Sequence, residues 1–392
     1  MIYVPNLRFR EFEGEWEKNR LGEIADIVGG GTPDTTIEEY WNGEIQWFIP
    51  SEIKSNYASK SERTITKLGL NKSSAKLLPV GAILLTTRAT IGEVAIATEK
   101  CSTNQGFQSL IVNKDVNNIF IANWIKQNKN ELIRRAKGST FAEISKSEIE
   151  RISILLPATS EQIKIAAFLS LLDNRLSTQS QIIDNLQSLM KGMSKKLFSQ
   201  KVRFKDDNGN NFPDWEIKKL NKVATVTMGQ SPDSSSYNTR SVGVPLIQGN
   251  ADITDRKSNP RQYTNNPTKL CKIGDLLLTV RAPVGYVAKS CHNACIGRGV
   301  CSIKNNEHSL MEFIYQFLLQ FESNWKSIEQ GSTFTSINSS DIGLISIEVS
   351  HINEQTKIAK FLSAIDEKLE TEKQILKKYT EQKKYLLANL FI

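Results

Sequence analysis

Asp34, Glu52 and Lys54 carry the groups a magnesium-dependent nuclease uses: two carboxylates to hold the cation and an amine to help activate water. Pro33-Asp34 is followed by Glu52-Ile53-Lys54, and Pro232-Asp233 by Asp255-Arg256-Lys257. The intervals after the Asp are unequal, 18 and 22 residues, whereas a duplicated catalytic site should keep its own spacing. Thr-Pro-Asp and Ser-Pro-Asp read more simply as turns, with Pro setting φ and Asp bonding backbone N–H groups. Cys271, Cys291, Cys295 and Cys301 include no Cys-x-x-Cys pair, so small buried hydrophobes are the better reading than zinc ligands. There are three histidines, His292, His308 and His351, and no His-Glu-x-x-His, Gly-x-Ser-x-Gly or Walker loop. Gly29-Gly30-Gly31 precedes no clear helix, which argues against a dinucleotide loop.

Other polar residues suit contact with a polyanion. Lys plus Arg number 50 against 42 for Asp plus Glu, a net charge of +8, with pI near 9.0. Arg88 and Arg281 occupy equivalent places, each at a strand end before a Gly turn. Each either ties the turn to carbonyls or reaches a phosphate or guanine edge. Gln105-Gly-Phe aligns with Arg298-Gly-Val, a kept glycine beside a swapped polar side chain. Pro50-Ser51-Glu52-Ile53-Lys54 lies opposite Gly249-Asn250-Ala251-Asp252-Ile253. The candidate DNA contacts are therefore Thr32, Ser51, Lys54, Arg88, Thr90, Gln105, Ser139 and Thr140 in the first half. In the second half they are Ser231, Gln248, Asn250, Arg281, Arg298, Ser332 and Thr333. Gly138-Ser-Thr-Phe and Gly331-Ser-Thr-Phe could meet phosphate through backbone N–H groups and hydroxyls, or hold a loop onto its domain.

The elements that must position these residues come twice in 392 residues. Trp16, Leu21, Gly30, Pro33 and Asp34 recur 199 positions later as Trp215, Leu220, Gly229, Pro232 and Asp233. From Gly81 and Gly274 onward the offset is 193, so six residues differ between about 53 and 81. Short β-rich runs, Ile24–Val28, Ile45–Ile49, Ala82–Thr87, Glu93–Ala97 and Phe107–Val112, precede a helix expected at about 120–136; the second copy repeats the order with its helix at about 311–329. A heptad series then runs through Leu169, Leu172, Leu176, Ile183 and Leu186, and in the second copy through Leu362, Ile365, Leu369, Leu376 and Tyr379. Its 3.5-residue period calls for a coiled coil, roughly 48 Å long over 165–197. Thr159 or Ser160 could cap the first helix and Asn353 the second. The expected fold is α+β: two pseudo-symmetric mixed domains, 1–158 and 201–351, with long helices 159–200 and 352–392 paired antiparallel. Packing of each helix on its own domain is the alternative. No apolar stretch reaches 18 residues, no secretory signal is expected at the start, and five cysteines suit a reducing, cytoplasmic compartment.

With these strings in order, the chain resembles the specificity subunit of type I restriction-modification systems. The carriers are Trp16…Leu21-Gly-Glu-Ile24, Gly29-Gly-Gly-Thr-Pro33, Tyr40-Trp-Asn-Gly-Glu-Ile-Gln-Trp47, Thr87-Arg-Ala-Thr-Ile-Gly92, Asn104-Gln-Gly-Phe107, Gly138-Ser-Thr140 and Glu161-Gln-Ile-Lys-Ile-Ala166. The second copy is looser and lacks Tyr-Trp-Asn-Gly. The resemblance implies a non-catalytic reader with two target recognition domains, and a helical spacer that docks two modification subunits before restriction subunits join. It also implies that those partners bring S-adenosylmethionine, ATP and Mg²⁺, and that adenine N6 is methylated. From the residues, two like frames with different loop side chains should read two half-sites of double-stranded DNA, about one helical turn or roughly 34 Å apart. A self-contained endonuclease using Asp34, Glu52 and Lys54, and a coiled-coil adaptor that binds protein alone, are the rival readings. No membrane partner is expected.

Overall fold

Aliphatic and β-branched runs between Gly, Pro and Asn become short strands twice over. The computed structural model describes residues 3–137, 142–307, 309–327 and 336–392. They form two units, one of residues 1–180 with 375–392 and one of residues 181–374.

In the first unit Ala25–Gly29, Gln108–Val112, Ile83–Leu85, Val94–Ala97 and Tyr57–Ala58 lie in that order in one sheet. Arg63–Ile65, Trp41–Phe48 and Cys101–Thr103 form a second. Every residue of Ile83–Leu85 and Val94–Ala97 is buried, which explains their unbroken apolar runs. Glu17–Arg20 pairs antiparallel with Ser153–Leu156 and closes the domain just before the long helix. The expected helix at 120–136 is two helices, Asn118–Gln127 and Lys129–Arg135. The break falls at Asn128, whose side-chain amide donates to the Trp124 carbonyl at 3.0 Å, a short polar group competing with the helix backbone.

The second unit repeats the plan. Ala224–Met228, Val300–Asn305, Leu276–Thr279, Val287–Lys289, Lys257–Ser258 and Ile253–Thr254 form one sheet; Tyr237–Asn238, Gln262–Thr264, Val244–Ile247, Ala294–Ile296 and Leu270–Cys271 form another. The helix Met311–Phe321 gives way to a 3-10 segment, Glu322–Ser327. Cys271, Cys295 and Cys301 are buried here, as is Cys101 in the first unit. Burial pushes the Cys101 and Cys301 thiols up to about 12, so they stay protonated and act as small core residues.

The heptad segments are the helices Thr159–Phe198 and Ile352–Leu390. All ten named seam residues are buried or half-buried. In the first unit Asp173 meets Lys383 and the Arg175 guanidinium lies 5.2 Å from the Tyr379 ring. The partner's number falls as the first rises, so these stretches run antiparallel. In the second unit Leu197 shares a core with Ile358 and Leu362, while Leu369 lines a cavity with Gln187 and Met190, again antiparallel. The pairing does not replace packing on the domain: Ile165 and Leu169 belong to the first core, Ile358 and Leu362 to the second. The cap candidates Thr159, Ser160 and Asn353 lie within the helices, which begin at Thr159 and Ile352. Thr159 donates its hydroxyl to the Asp115 carbonyl at 2.8 Å, and His351 Nδ1 accepts the Asn353 N–H at 3.3 Å.

Gly192 sits in the first long helix with nothing within 4 Å of an added Cβ. Gly192→Ala is therefore expected to stabilise the second unit by about 0.5–1 kcal/mol, read as a higher urea midpoint.

Candidate nucleic-acid interface

Four loops of the first unit converge through backbone bonds. The Gly31 N–H donates to the Thr103 carbonyl at 2.8 Å, Asn104 N–H to Phe48 at 3.0 Å, and Thr87 N–H to Gly106 at 2.8 Å. These bring together loops 29–34, 49–53, 87–92 and 104–107. The second unit repeats the frame: Gln230 N–H to the Ile296 carbonyl at 2.9 Å, Gly297 N–H to Ile247 at 2.8 Å, Val280 N–H to Gly299 at 3.0 Å. Gly30 and Gly229 make the approach possible. A Cβ on Gly30 would lie 2.0 Å from the Asn104 carbonyl oxygen, and one on Gly229 would lie 2.1 Å from that of Gly297.

On this shared frame the side chains differ. Thr32 Oγ1 donates to Gln105 Oε1 at 2.5 Å, holding the amide. At the equivalent place Ser231 Oγ accepts the Arg298 backbone N–H at 3.1 Å, which leaves the exposed guanidinium outside that bond. Ser231, Gln248, Asn250, Arg281 and Arg298 line one open cleft of about 220 Å³ with Gly249, Ala282 and Gly299. In the first unit Ser51, Lys54, Arg88, Thr90 and Gln105 are exposed and Thr32 is half-buried. Ser139, Thr140, Ser332 and Thr333, with His308, lie outside the described residues.

The two equivalent arginines part company. Arg88 pairs with Glu143 at 2.8 Å. Ser336 stands 193 residues beyond Glu143, and it bridges to Arg281 through the backbone. Among the described residues no carboxylate pairs with Arg281.

Asp34 and Glu52 are turn-builders. Asp34 Oδ1 accepts the Thr36 N–H at 2.9 Å and its hydroxyl at 2.7 Å, and these bonds hold the carboxyl below its ordinary range. Asp233 does the same with Ser235. Glu52 accepts the N–H groups of Ile49 at 2.7 Å and Glu62 at 2.6 Å. Asp252 is its counterpart, taking the Gln248 N–H at 2.8 Å and Arg261 Nε at 2.9 Å. Ile53 thus answers to Ile253, both buried, one residue from the register read along the sequence. Among the described residues no group of three His, Cys, Asp or Glu is placed to hold a metal ion, and no helix is long and apolar enough to cross a membrane.

Several working residues were not among the candidate contacts, although Trp41, Trp47, Glu161 and Gln162 lie in the strings that carry the resemblance. Trp41 and Trp47 donate their indole N–H groups to the Asp34 and Gly31 carbonyls at 3.0 and 2.9 Å. The second copy, lacking that string, uses the Tyr237 hydroxyl on the Pro232 carbonyl at 3.0 Å. Arg8 grips the buried Glu161 with bonds of 2.8 and 2.7 Å; Arg203 grips the buried Glu354 at 3.1 and 2.9 Å. The repeated pair Arg8-Phe9 and Arg203-Phe204 was the available clue. The Gln beside each Glu latches helix to domain: Gln162 Nε2 donates to the Pro157 carbonyl and Gln355 Nε2 to that of Ser350.

The family model for the type I restriction modification DNA specificity domain matches residues 13–188 and again 213–380. The putative type I restriction enzyme MjaX specificity subunit of Methanocaldococcus jannaschii is 31% identical, over 97% of this chain and 94% of its own length. The EcoR124I/EcoR124II specificity subunit of Escherichia coli is 30% identical over 43% of each chain. In fold, the chain is similar to the type I restriction-modification S subunit from M. genitalium, with TM-score 0.65, 18% identity and 99% of each chain covered. A solved chain of a type I R-M system gives TM-score 0.61 at 22% identity, over 96% of this chain and 97% of that one. The chain belongs to the specificity subunits of type I restriction-modification systems and carries that family's DNA specificity domain twice.

Proposed function

We propose that this chain is a non-catalytic reader of double-stranded DNA in the cytoplasm, each unit recognising one half of a split, asymmetric site. The observation that carries this reading is one backbone frame bearing Thr32 with Gln105 in one unit and Ser231 with Arg298 in the other. Amide and guanidinium groups pair with different base edges, so like frames with unlike readers give unlike half-sites. The two long helices set the spacer and dock two modification subunits, and restriction subunits join that assembly. S-adenosylmethionine, ATP and Mg²⁺ belong to those partners, which methylate adenine N6. The test is selection from a random duplex library by the purified chain with its modification subunits. Two short specified blocks around an unspecified gap are expected. Retention without sequence enrichment would favour a protein-only adaptor, and nicking of plasmid by the pure chain with Mg²⁺ would favour a nuclease.

Arg281 has no acidic partner among the described residues, whereas Arg88 has Glu143. Arg281→Ala should therefore weaken binding more than Arg88→Ala. If Arg281 meets phosphate, the slope of log K against log salt should fall by about 1. Binding across a salt series checks this; equal losses from the two variants would count against it.

A further inference from the structure

The strand Arg63–Ile65 lies where the two copies change offset, so sequence alignment says nothing of its counterpart. Strand pairing does. Trp47 stands opposite Arg63, and Leu246, the residue 199 beyond Trp47, stands opposite Gln262. Arg63 and Gln262 therefore hold one place in the common frame, directly after the residues that Glu52 and Asp252 tie down.

Arg63 is held without being neutralised. Its guanidinium carbon lies 3.5 Å from the centre of the Trp41 ring. Trp41 is itself seated edge-on against Trp47, with centroids 5.1 Å apart, and bonded to the Asp34 carbonyl. Arg63 is exposed, and among the described residues no carboxylate pairs with it. A guanidinium stacked on an indole keeps its N–H edges off the ring, free to bond outward as a fork. That fork matches O6 and N7 of guanine. Through Trp41, whose indole N–H bonds the Asp34 carbonyl, it is tied to the loop that carries Thr32, the residue that holds Gln105. In the second unit Gln262 Oε1 is 3.4 Å from Gln248 Nε2, which places a neutral amide within the same reader group.

We infer that Arg63 is a specificity-determining residue of the first unit, reading a guanine in one half-site, and that Gln262 gives the same place a different preference in the second. This rests on the DNA-reading function proposed above. The experiment uses the chain assembled with its modification subunits and a panel of duplexes varied at every position of both half-sites. Arg63→Lys keeps the charge and loses the fork; Arg63→Gln copies the second unit. Both should reduce the preference for guanine at one position of one half-site roughly tenfold, with the other half-site unchanged and Arg63→Lys retaining its non-specific affinity. Three outcomes overturn the inference: a site with no guanine in either half, unchanged preferences with a lower melting temperature (a lid over Trp41 only), or a uniform loss across all sequences (a phosphate contact). A wild-type complex with no sequence preference would instead sink the DNA-reading function itself.

Discussion

Gly229→Ala will disrupt the loop cluster of the second unit. The added carbon would stand 2.1 Å from the Gly297 carbonyl oxygen, 2.6 Å from that of Val300 and 2.8 Å from that of Ile296. These are backbone atoms bound into the strand and its turn, so no side chain can swing aside. Relief requires loop 228–233 to lift from 296–300, which breaks the Gly229-to-Val300 and Gln230-to-Ile296 bonds of 3.0 and 2.9 Å. The cost should reach or pass the upper end of the roughly 1–3 kcal/mol typical of overpacking. Urea unfolding and hydrogen exchange at 296–300 read it. Gly249→Ala is the matched control, because nothing lies within 4 Å of a Cβ there and the backbone is extended. Equal stability of the two variants would contradict the close-packed frame.

Glu354→Ala comes next in size. Glu354 is fully buried and accepts from Arg203 Nε and Nη2 together with Trp215 Nε1 at 3.0 Å. Losing it leaves Arg203, which also bonds the Phe212 and Pro213 carbonyls, with only the exposed Asp214 at 3.5 Å as an acidic partner. Breaking a buried pair from one side costs about 3–5 kcal/mol, and the partial exposure of Arg203 places this case near 3. Glu161→Ala should behave alike in the first unit through Arg8. Glu354→Gln, which preserves shape without charge, should fall between wild type and alanine. A loss below about 1 kcal/mol in denaturant titration would mean that this contact does not hold the helix start to its domain.

The duplication, the strand order and the heptads were legible because each is a pattern repeated along the chain. The five strand runs read in the first copy fall within a residue or two of observed strands, save that Trp41–Phe48 begins before Ile45; Glu17–Arg20, Tyr57–Ala58, Arg63–Ile65, Cys101–Thr103 and Ser153–Leu156 were not legible, being short or lacking an apolar run. The helix near 120–136 was misjudged because apolar spacing continues through Asn128 while the backbone does not. Of the candidate contacts, Ser231, Gln248, Asn250, Arg281 and Arg298 line one cleft, since swapped polar residues beside kept glycines mark a loop frame. Arg88 was legible as an equivalent of Arg281 but its partner was not: Glu143 is 55 residues away and meets it only in the fold. Arg63 was hidden for a like reason, lying where the repeat loses register. The carboxylates Asp34 and Glu52 looked chemical because type and spacing do not reveal which N–H groups a side chain will accept.

The central claim, two units reading two separate half-sites, is tested most directly by mapping methylated adenines in DNA from cells that express this chain with a modification subunit, as wild type, Gln105→Ala and Arg298→Ala. The expected result is a two-part motif with an unspecified gap, in which Gln105→Ala relaxes one part alone and Arg298→Ala the other alone. A contiguous motif, or both variants blurring the same part, would contradict it.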